Sequence, residues 1–104
     1  YDADELIFLF GLNKKLGPIL DWDLDLNGKK ITVNTENYQT SKDGIFAVGD
    51  INDYPGKLDL ILSGFHETTL AVQEAYKRIF PGERVPFGYT TSNSKLQEKL
   101  GVKK

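Results

Sequence analysis

The chain has 104 residues, a formal net charge of −2, one His and no Cys or Met. This composition excludes disulfides, thiolate metal sites, a thiol nucleophile and a His cluster. Its 31 Leu, Ile, Val and Phe residues suffice for a small core. No apolar run approaches the about 20 residues needed to cross a bilayer, and the sparse basic residues argue against a nucleic-acid partner. Because the chain begins at Tyr1 without Met, we expect a fragment.

The first half of the chain contains two predicted strand regions. Residues 5–10 (ELIFLF) are predicted to form a strand, because the unbroken apolar run after Glu5 is typical of a strand buried on both faces. Further on, Trp22, Leu24 and Leu26 alternate with acidic residues up to Asn27-Gly28. This pattern predicts a β-hairpin over residues 22–33 with a type I′ turn.

The second half is predicted to contain a short strand, a loop and one long helix. Residues 45–48 (IFAV) indicate a short buried strand that stops at Gly49, and residues 52–57 indicate a loop. From about Asp59 to Ile79 the apolar residues recur at helical spacing, so one long helix is expected, ended by Pro81 and Gly82.

After an extended segment over residues 85–93, the pattern predicts a short C-terminal helix. Ser94 and Gln97 have capping-box spacing, and Gly101 can cap the helix end.

The Gly49-Asp50 pair is the most informative feature for chemistry. A Gly at the carboxyl end of a strand lets a ligand approach the backbone, and an Asp beside it can accept hydrogen bonds from a polyol. Taken alone, however, Gly-Asp after a strand is also a common turn. The neighbouring segments decide between the two interpretations.

Those segments resemble a flavoprotein family. Residues 43–50 (DGIFAVGD) match the second FAD-binding motif of the two-dinucleotide-domain flavoprotein reductases, to which thioredoxin reductases belong. Three other segments look like the thioredoxin-reductase-like ferredoxin/flavodoxin NADP reductases: residues 54–57 (YPGK), 64–67 (GFHE) and 87–92 (FGYTTS). The resemblance runs from about Asp4 to Thr91, with the motifs in the family's order.

The resemblance implies an α/β fold, as a fragment of a Rossmann-like flavoprotein with two dinucleotide-binding domains. A β-hairpin, short buried strands and one long helix would build it. Residues 1–14 would end the NADP-binding domain and cross over, residues 15–86 would form the C-terminal part of the FAD-binding domain, and residues 87–104 would be a tail covering the flavin. No G-x-G-x-x-G occurs, so the pyrophosphate sites for FAD and NADPH are expected upstream.

The same resemblance assigns contacts with FAD around the Gly-Asp pair. Asp50 would bind the ribityl hydroxyls, with Gly49 permitting their approach and Ile51 beside them. Leu60 and Ile61 would present backbone N–H groups to the flavin pyrimidine edge, at a helix end that carries partial positive charge.

Three further candidates lie in loops. Lys57 is a cofactor-binding candidate whose simpler interpretation is a solvated loop lysine. Tyr89 would stack on the isoalloxazine with Thr90 near its N5, which makes these two the catalytic candidates. From composition alone Tyr89 is a surface aromatic in a loose tail. In the family this tail acts across a dimer interface, so a homodimer is implied.

The sequence therefore predicts the C-terminal part of a cytoplasmic, FAD-dependent reductase that passes electrons from NADPH through flavin to ferredoxin or flavodoxin. The fragment alone is expected to be inactive. Thioredoxin reductase, with thioredoxin as its partner, is an alternative, because the redox-active Cys pair of that family would lie upstream. A small α/β interaction module with no redox role is the other alternative.

Overall fold

The computed structural model describes residues 2–8, 11 and 13–102. Its strands are β1 (Leu26–Asn27), β2 (Lys30–Thr32) and β3 (Asn52–Asp53), and its helices are α1 (Ile61–Ile79) and α2 (Ser94–Lys99). Short 3₁₀ helices cover Gly17–Trp22, Gly49–Ile51 and Thr90–Ser92. The expected α/β class is confirmed. The chain divides into two units, one ending at Ala71 and the other beginning at Val72.

The first unit is built on a three-stranded sheet in the order β1-β2-β3. β1 and β2 are antiparallel, with Leu26 opposite Ile31, whereas β2 and β3 are parallel, with Ile31 opposite Asn52. The short 3₁₀ helix Gly49–Ile51, which we call the Gly49–Ile51 turn, leads directly into β3. The core joins apolar side chains from the sheet, the loops and α1: Leu24, Ile31, Val33, Tyr38, Ala47 and Ala71.

The predicted hairpin is present, but its turn lies one residue later than expected. Asn27 pairs with Lys30, so Gly28 and Lys29 form the loop. Of these two, only Gly28 has a positive φ, of +61°, which fits a type II′ turn rather than type I′. Asn27 stays in the strand, where its side-chain amide donates to Asp53 Oδ2 at 2.7 Å.

The prediction of a strand from Trp22 to Asp25 is wrong. Gly17–Trp22 is a 3₁₀ helix with Pro18 in its first turn. The fixed φ of proline fits there, and the N–H that proline lacks would have had no acceptor within the helix. Asp23 ends the helix in the left-handed region, at φ +56°, which Asp tolerates better than most residues. Trp22 is consequently half exposed, and Leu24 alone of the alternating apolar residues is buried.

Two other predicted strands differ from the structure. Residues 45–48 form only an isolated antiparallel bridge, between Gln39 and Phe46, and β3 lies instead in a segment predicted as loop. Residues 5–8 are exposed and have no regular structure, because within the described residues no strand pairs with them. Leu9 and Phe10, the rest of that predicted strand, lie outside the described residues.

Helix α1 confirms the long predicted helix. It ends at Ile79, and Pro81 and Gly82 follow, the latter with φ +86°. Its buried residues are Glu67 and Ala71, whereas Ile61, Phe65 and Val72 are largely exposed. Among the described residues, no helix is both long enough and apolar enough to cross a membrane.

The second unit contains the short predicted helix, with a different N-cap. The cap is Asn93, whose Oδ1 accepts from the N–H of Leu96 at 3.0 Å, so the predicted capping box of Ser94 and Gln97 does not form. Gly101 caps the other end as predicted, with φ +66°. Its N–H donates to Glu98 O and that of Val102 to Gln97 O, which is the Schellman pattern.

Candidate functional site

The Gly49–Ile51 turn places the predicted Gly-Asp pair at an open position on the first unit. Gly49 has φ +79°, a conformation that strains any residue with a Cβ. A Cβ built on Gly49 would meet no atom within 4 Å, so a ligand can approach the backbone there. Asp50 follows with its side chain exposed, and its carbonyl accepts a hydrogen bond from Lys14 Nζ.

A shallow groove of about 220 Å³ lies beside this turn. Gly64 on α1 faces the turn here: a Cβ built on Gly64 would lie 3.5 Å from the Cα of Gly49, an ordinary van der Waals distance. The structure thus brings together two of the predicted positions, Gly49 and Ile61. The groove is lined by small and apolar residues: Val48, Gly49, Ile61, Gly64, Phe65 and Thr68.

The N-terminus of α1 contributes to the electrostatics of this groove. The first turn of the helix contains no acidic residue, so no carboxylate from that turn neutralises the partial positive charge of the helix end. Leu60 immediately precedes the helix; its N–H donates to Leu58 O at 2.9 Å, and its carbonyl accepts from the N–H of Gly64. A ligand group with negative charge is favoured at this end.

Lysines and an aspartate also lie next to the turn. Lys30 Nζ is 2.8 Å from Asp59 Oδ1, and Lys14 Nζ is 3.4 Å from Asp59 Oδ2. The hydrogen bond from Lys30 lowers the pKa of Asp59, and the same bond raises the pKa of Lys30. Both side chains are partly exposed, so this network adds little to stability.

A buried carboxylate, which sequence reasoning did not single out, lies behind the turn. Glu67 is fully buried on α1 and accepts hydrogen bonds from four donors. Its Oε2 accepts from the N–H of Gly49 at 2.6 Å and from Asn52 Nδ2 at 2.8 Å, and its Oε1 accepts from Tyr54 Oη at 2.9 Å and from Lys57 Nζ. These bonds tie the helix to the turn, to β3 and to the loop after it.

The hydrogen bonds outweigh the effect of burial on Glu67. Burial alone raises the pKa of this carboxyl, but the bonds from Lys57, Gly49 and the other donors lower it below its ordinary value. Glu67 is therefore ionised. Burial and the adjacent Glu67 raise the pKa of Tyr54, so its hydroxyl remains a donor.

Lys57 is placed against the turn rather than in solvent. Its ammonium contacts Glu67 Oε1 and donates to the carbonyl of Gly49 at 2.9 Å, and its side chain is 3% exposed. It also lies 5.4 Å from the centre of the Tyr54 ring. The interpretation as a solvated loop lysine is wrong.

Asn52 completes the buried cluster. Its amide nitrogen donates to Ala47 O at 3.0 Å as well as to Glu67, which fixes the orientation of the amide. Its Oδ1 is buried without a hydrogen-bond partner. A signal for the cluster was available in the sequence. Gly64, Glu67 and Ala71 recur at helical spacing, so they share one face of α1, and two of them are small residues that let this face pack closely.

The two catalytic candidates lie in the second unit. Tyr89 is 72% exposed and makes an edge-to-face contact with Phe87, with ring centres 6.0 Å apart. Thr90 begins the 3₁₀ helix Thr90–Ser92. Their hydrogen bonds are local, such as Asn93 N to Thr90 O at 3.3 Å.

The chain is similar in sequence to a group of known reductases. It is 57% identical over 100 residues to the ferredoxin–NADP reductase of Beijerinckia indica subsp. indica, 62% over 93 residues to that of Mesorhizobium japonicum and 53% over 103 residues to that of Pelagibacter ubique. These matches cover 96%, 89% and 99% of the chain. The predicted family resemblance is confirmed.

The chain spans only part of these reductases. The matches cover 29%, 27% and 30% of the length of the three curated relatives. No protein-family profile matches the chain. The similarity to ferredoxin–NADP reductases is therefore to one segment of them.

Proposed function

We propose that this chain is the C-terminal part of a cytoplasmic, FAD-dependent reductase that moves electrons from NADPH to ferredoxin or flavodoxin. The observation that carries the proposal is the match of nearly the whole chain, at 53–62% identity, to proteins named ferredoxin–NADP reductase. Identity of this extent supports a shared fold and a shared chemistry for the segment.

The residues around the Gly49–Ile51 turn fit FAD. They combine a backbone open at Gly49, an exposed carboxylate at Asp50 and a helix N-terminus without acidic residues in its first turn. The groove of about 220 Å³ is smaller than the roughly 300–1,000 Å³ of complete small-molecule sites. This size suits a segment that holds part of the cofactor, with the pyrophosphate sites for FAD and NADPH elsewhere in the protein.

Each candidate has a distinct binding role in this proposal. The Asp50 carboxylate accepts hydrogen bonds from ribityl hydroxyls, Gly49 allows their approach, and Ile51 flanks them. The N–H of Ile61 would face the flavin pyrimidine edge, where the helix end favours negative charge. The N–H of Leu60, the other predicted contact, donates to Leu58 O in this structure and would have to exchange that bond for one to the flavin. Bound there, FAD supplies the redox chemistry by taking a hydride from NADPH and passing electrons singly to the acceptor.

The tail is assigned to the flavin ring. Tyr89 would stack on the isoalloxazine and Thr90 would lie near its N5, reaching the flavin of the partner subunit in a homodimer. The high exposure of Tyr89 and its purely local hydrogen bonds support this assignment, because such a segment acquires lasting order by docking.

The domain arrangement follows from the same family. Residues 1–14 would lead out of the NADP-binding domain, residues 15–86 would complete a Rossmann-like FAD-binding domain, and residues 87–104 would form the tail. The thioredoxin reductase and interaction-module alternatives have less support, because the three relatives reported above are named ferredoxin–NADP reductases.

The test uses the full-length protein that carries this chain. We expect a yellow protein with bound FAD that reduces ferredoxin or flavodoxin when NADPH is supplied. A colourless protein that takes up no FAD would contradict the proposal and favour the interaction module. A Cys-x-x-Cys upstream, with reduction of thioredoxin instead of ferredoxin, would favour thioredoxin reductase.

A further inference from the structure

Both polar backbone groups of Gly49 are bound by one buried ion pair. The N–H of Gly49 donates to Glu67 Oε2 at 2.6 Å, and its carbonyl accepts from Lys57 Nζ at 2.9 Å. Lys57 and Glu67 also contact each other, and their side chains are 3% and 0% exposed. The three residues therefore form a closed ring of charge-assisted hydrogen bonds, which are the strong class of such bonds.

Peptide geometry extends this effect to Asp50. The peptide bonds of the described residues are trans, so the carbonyl of Gly49 and the N–H of Asp50 point in opposite directions. Because Lys57 holds that carbonyl toward the buried pair, the N–H of Asp50 faces away from it. The orientation of Asp50, whose side chain is exposed, thus depends on two side chains that lie behind the turn.

We propose that the buried Lys57–Glu67 pair is a positioning device, which holds the Gly49-Asp50 peptide in the orientation that binds the flavin cofactor. The proposal rests on the proposed function above and changes the role of Lys57. Its ammonium acts through the carbonyl of Gly49 and does not contact the cofactor. Lys57 and Glu67 are positioning residues in this account, and Asp50 is the binding residue.

A charged pair suits this role better than a neutral one. The Glu67 carboxylate accepts from four donors at once, and the Lys57 ammonium donates to two acceptors. Replacing either charge leaves the other buried and the turn held by fewer bonds. A turn fixed during folding needs no ordering when the ligand arrives, and such preorganisation increases affinity.

The test measures FAD affinity in the full-length protein after the cofactor has been removed. Lys57→Met removes the ammonium, Glu67→Gln removes the carboxylate charge, and Lys57→Arg keeps the positive charge. We expect Lys57→Met and Glu67→Gln to weaken FAD binding about tenfold or more, since each removes a charge-assisted bond to the turn. Lys57→Arg should restore most of the affinity, because a guanidinium can still donate to the carbonyl of Gly49.

Two controls separate positioning from general destabilisation. Ile31→Val lowers the stability of the core without removing any hydrogen bond to the turn, and Glu74→Gln removes the partly exposed pair with Arg78 on the same helix. Neither should change FAD affinity by more than about twofold, because neither removes a hydrogen bond to the turn. Equal loss of affinity in Ile31→Val and Lys57→Met would overturn the proposal, as would unchanged affinity in Lys57→Met.

A second measurement does not depend on FAD. Hydrogen exchange at the Gly49 amide of the cofactor-free protein should accelerate in Glu67→Gln and Lys57→Met and should stay unchanged in Glu74→Gln. Unchanged exchange would overturn the claim that the pair holds the turn. If the unaltered protein binds no FAD, the proposed function fails, and so does the proposal that the Lys57–Glu67 pair serves flavin binding. Accelerated exchange in the variants would still show that the pair holds Gly49.

Discussion

The Gly49–Ile51 turn and the segment of residues 87–92 are both assigned to the flavin, yet they are held in opposite ways. The turn is bound at Gly49 by the side chains of Glu67 and Lys57, which lie eighteen and eight residues away in sequence and contact each other. Among the described residues, the hydrogen bonds of this tail segment join near neighbours, such as Gln97 Nε2 to Thr91 O at 2.6 Å. The turn is therefore preorganised, whereas we expect the tail to be fixed only on docking.

This contrast predicts that variants behind the turn change stability and affinity together, and that variants in the tail change reactivity alone. The largest expected effect is on folding. Glu67→Ala leaves the ammonium of Lys57 buried and unpaired, which should cost about 3–5 kcal/mol of unfolding free energy in the full-length protein. Chemical denaturation measures it.

The matched control for that variant is Glu74→Ala, on the same helix. Its ion pairs with Lys77 and Arg78 are partly exposed to solvent, so its cost should be about 1 kcal/mol or less. Equal costs for the two variants would mean that Glu67 is not the anchor of the turn.

The next effect is on affinity at the turn. Asp50→Ala should weaken FAD binding by roughly 1.5–3 kcal/mol, the contribution of a charge-assisted hydrogen bond. Titration of the cofactor-free protein with FAD measures it, and Asp21→Ala, which removes an exposed carboxylate, serves as the control. Equal retention of FAD by both variants would remove Asp50 from the site.

A smaller effect concerns pH. The pKa of Glu67 is lower in the folded protein than its ordinary value of 4.5, so the unfolded state takes up a proton first on acidification. Glu67 thus stabilises the fold fully above pH 4.5, and this stabilisation is lost as the pH falls through the folded pKa. Glu67→Gln should flatten the loss of stability below that pH, and an unchanged slope would contradict the assignment.

The smallest effect on binding is expected in the tail. A stacked aromatic contributes about 0.5–1.5 kcal/mol beyond area burial, so removing the chain after Phe87 should leave FAD bound. The rate of flavin reduction by NADPH should nevertheless change, because a Tyr89 stacked as proposed would limit access of the nicotinamide to the ring. Stopped-flow measurement tests this, and a rate and flavin spectrum identical to the unaltered protein would show that Tyr89 does not stack on the cofactor.

The same contrast explains what the sequence could predict. α1 and the Gly101 cap were predictable, because periodicity, Pro81 and Gly82 act over a few residues. Gly49 and Asp50 could be singled out because the Gly-Asp pair is a local motif with a family resemblance, and their binding role stays a prediction.

Features that depend on distant partners were missed. The strand assigned to residues 22–25 failed because Pro18 and Asp23 favour a 3₁₀ helix that alternation does not reveal. β3 exists through parallel pairing with β2, twenty residues upstream. Glu67 was read as part of a family motif, whereas its role comes from four donors that only the fold brings together.

The most direct test of the central claim is a crystal structure of the full-length protein with FAD bound. The account predicts the ribityl chain against Gly49, with a hydroxyl within hydrogen-bond distance of the Asp50 carboxylate, and Lys57 still bound to Glu67 and away from the cofactor. FAD bound elsewhere, with Gly49 and Asp50 facing solvent, would contradict the account.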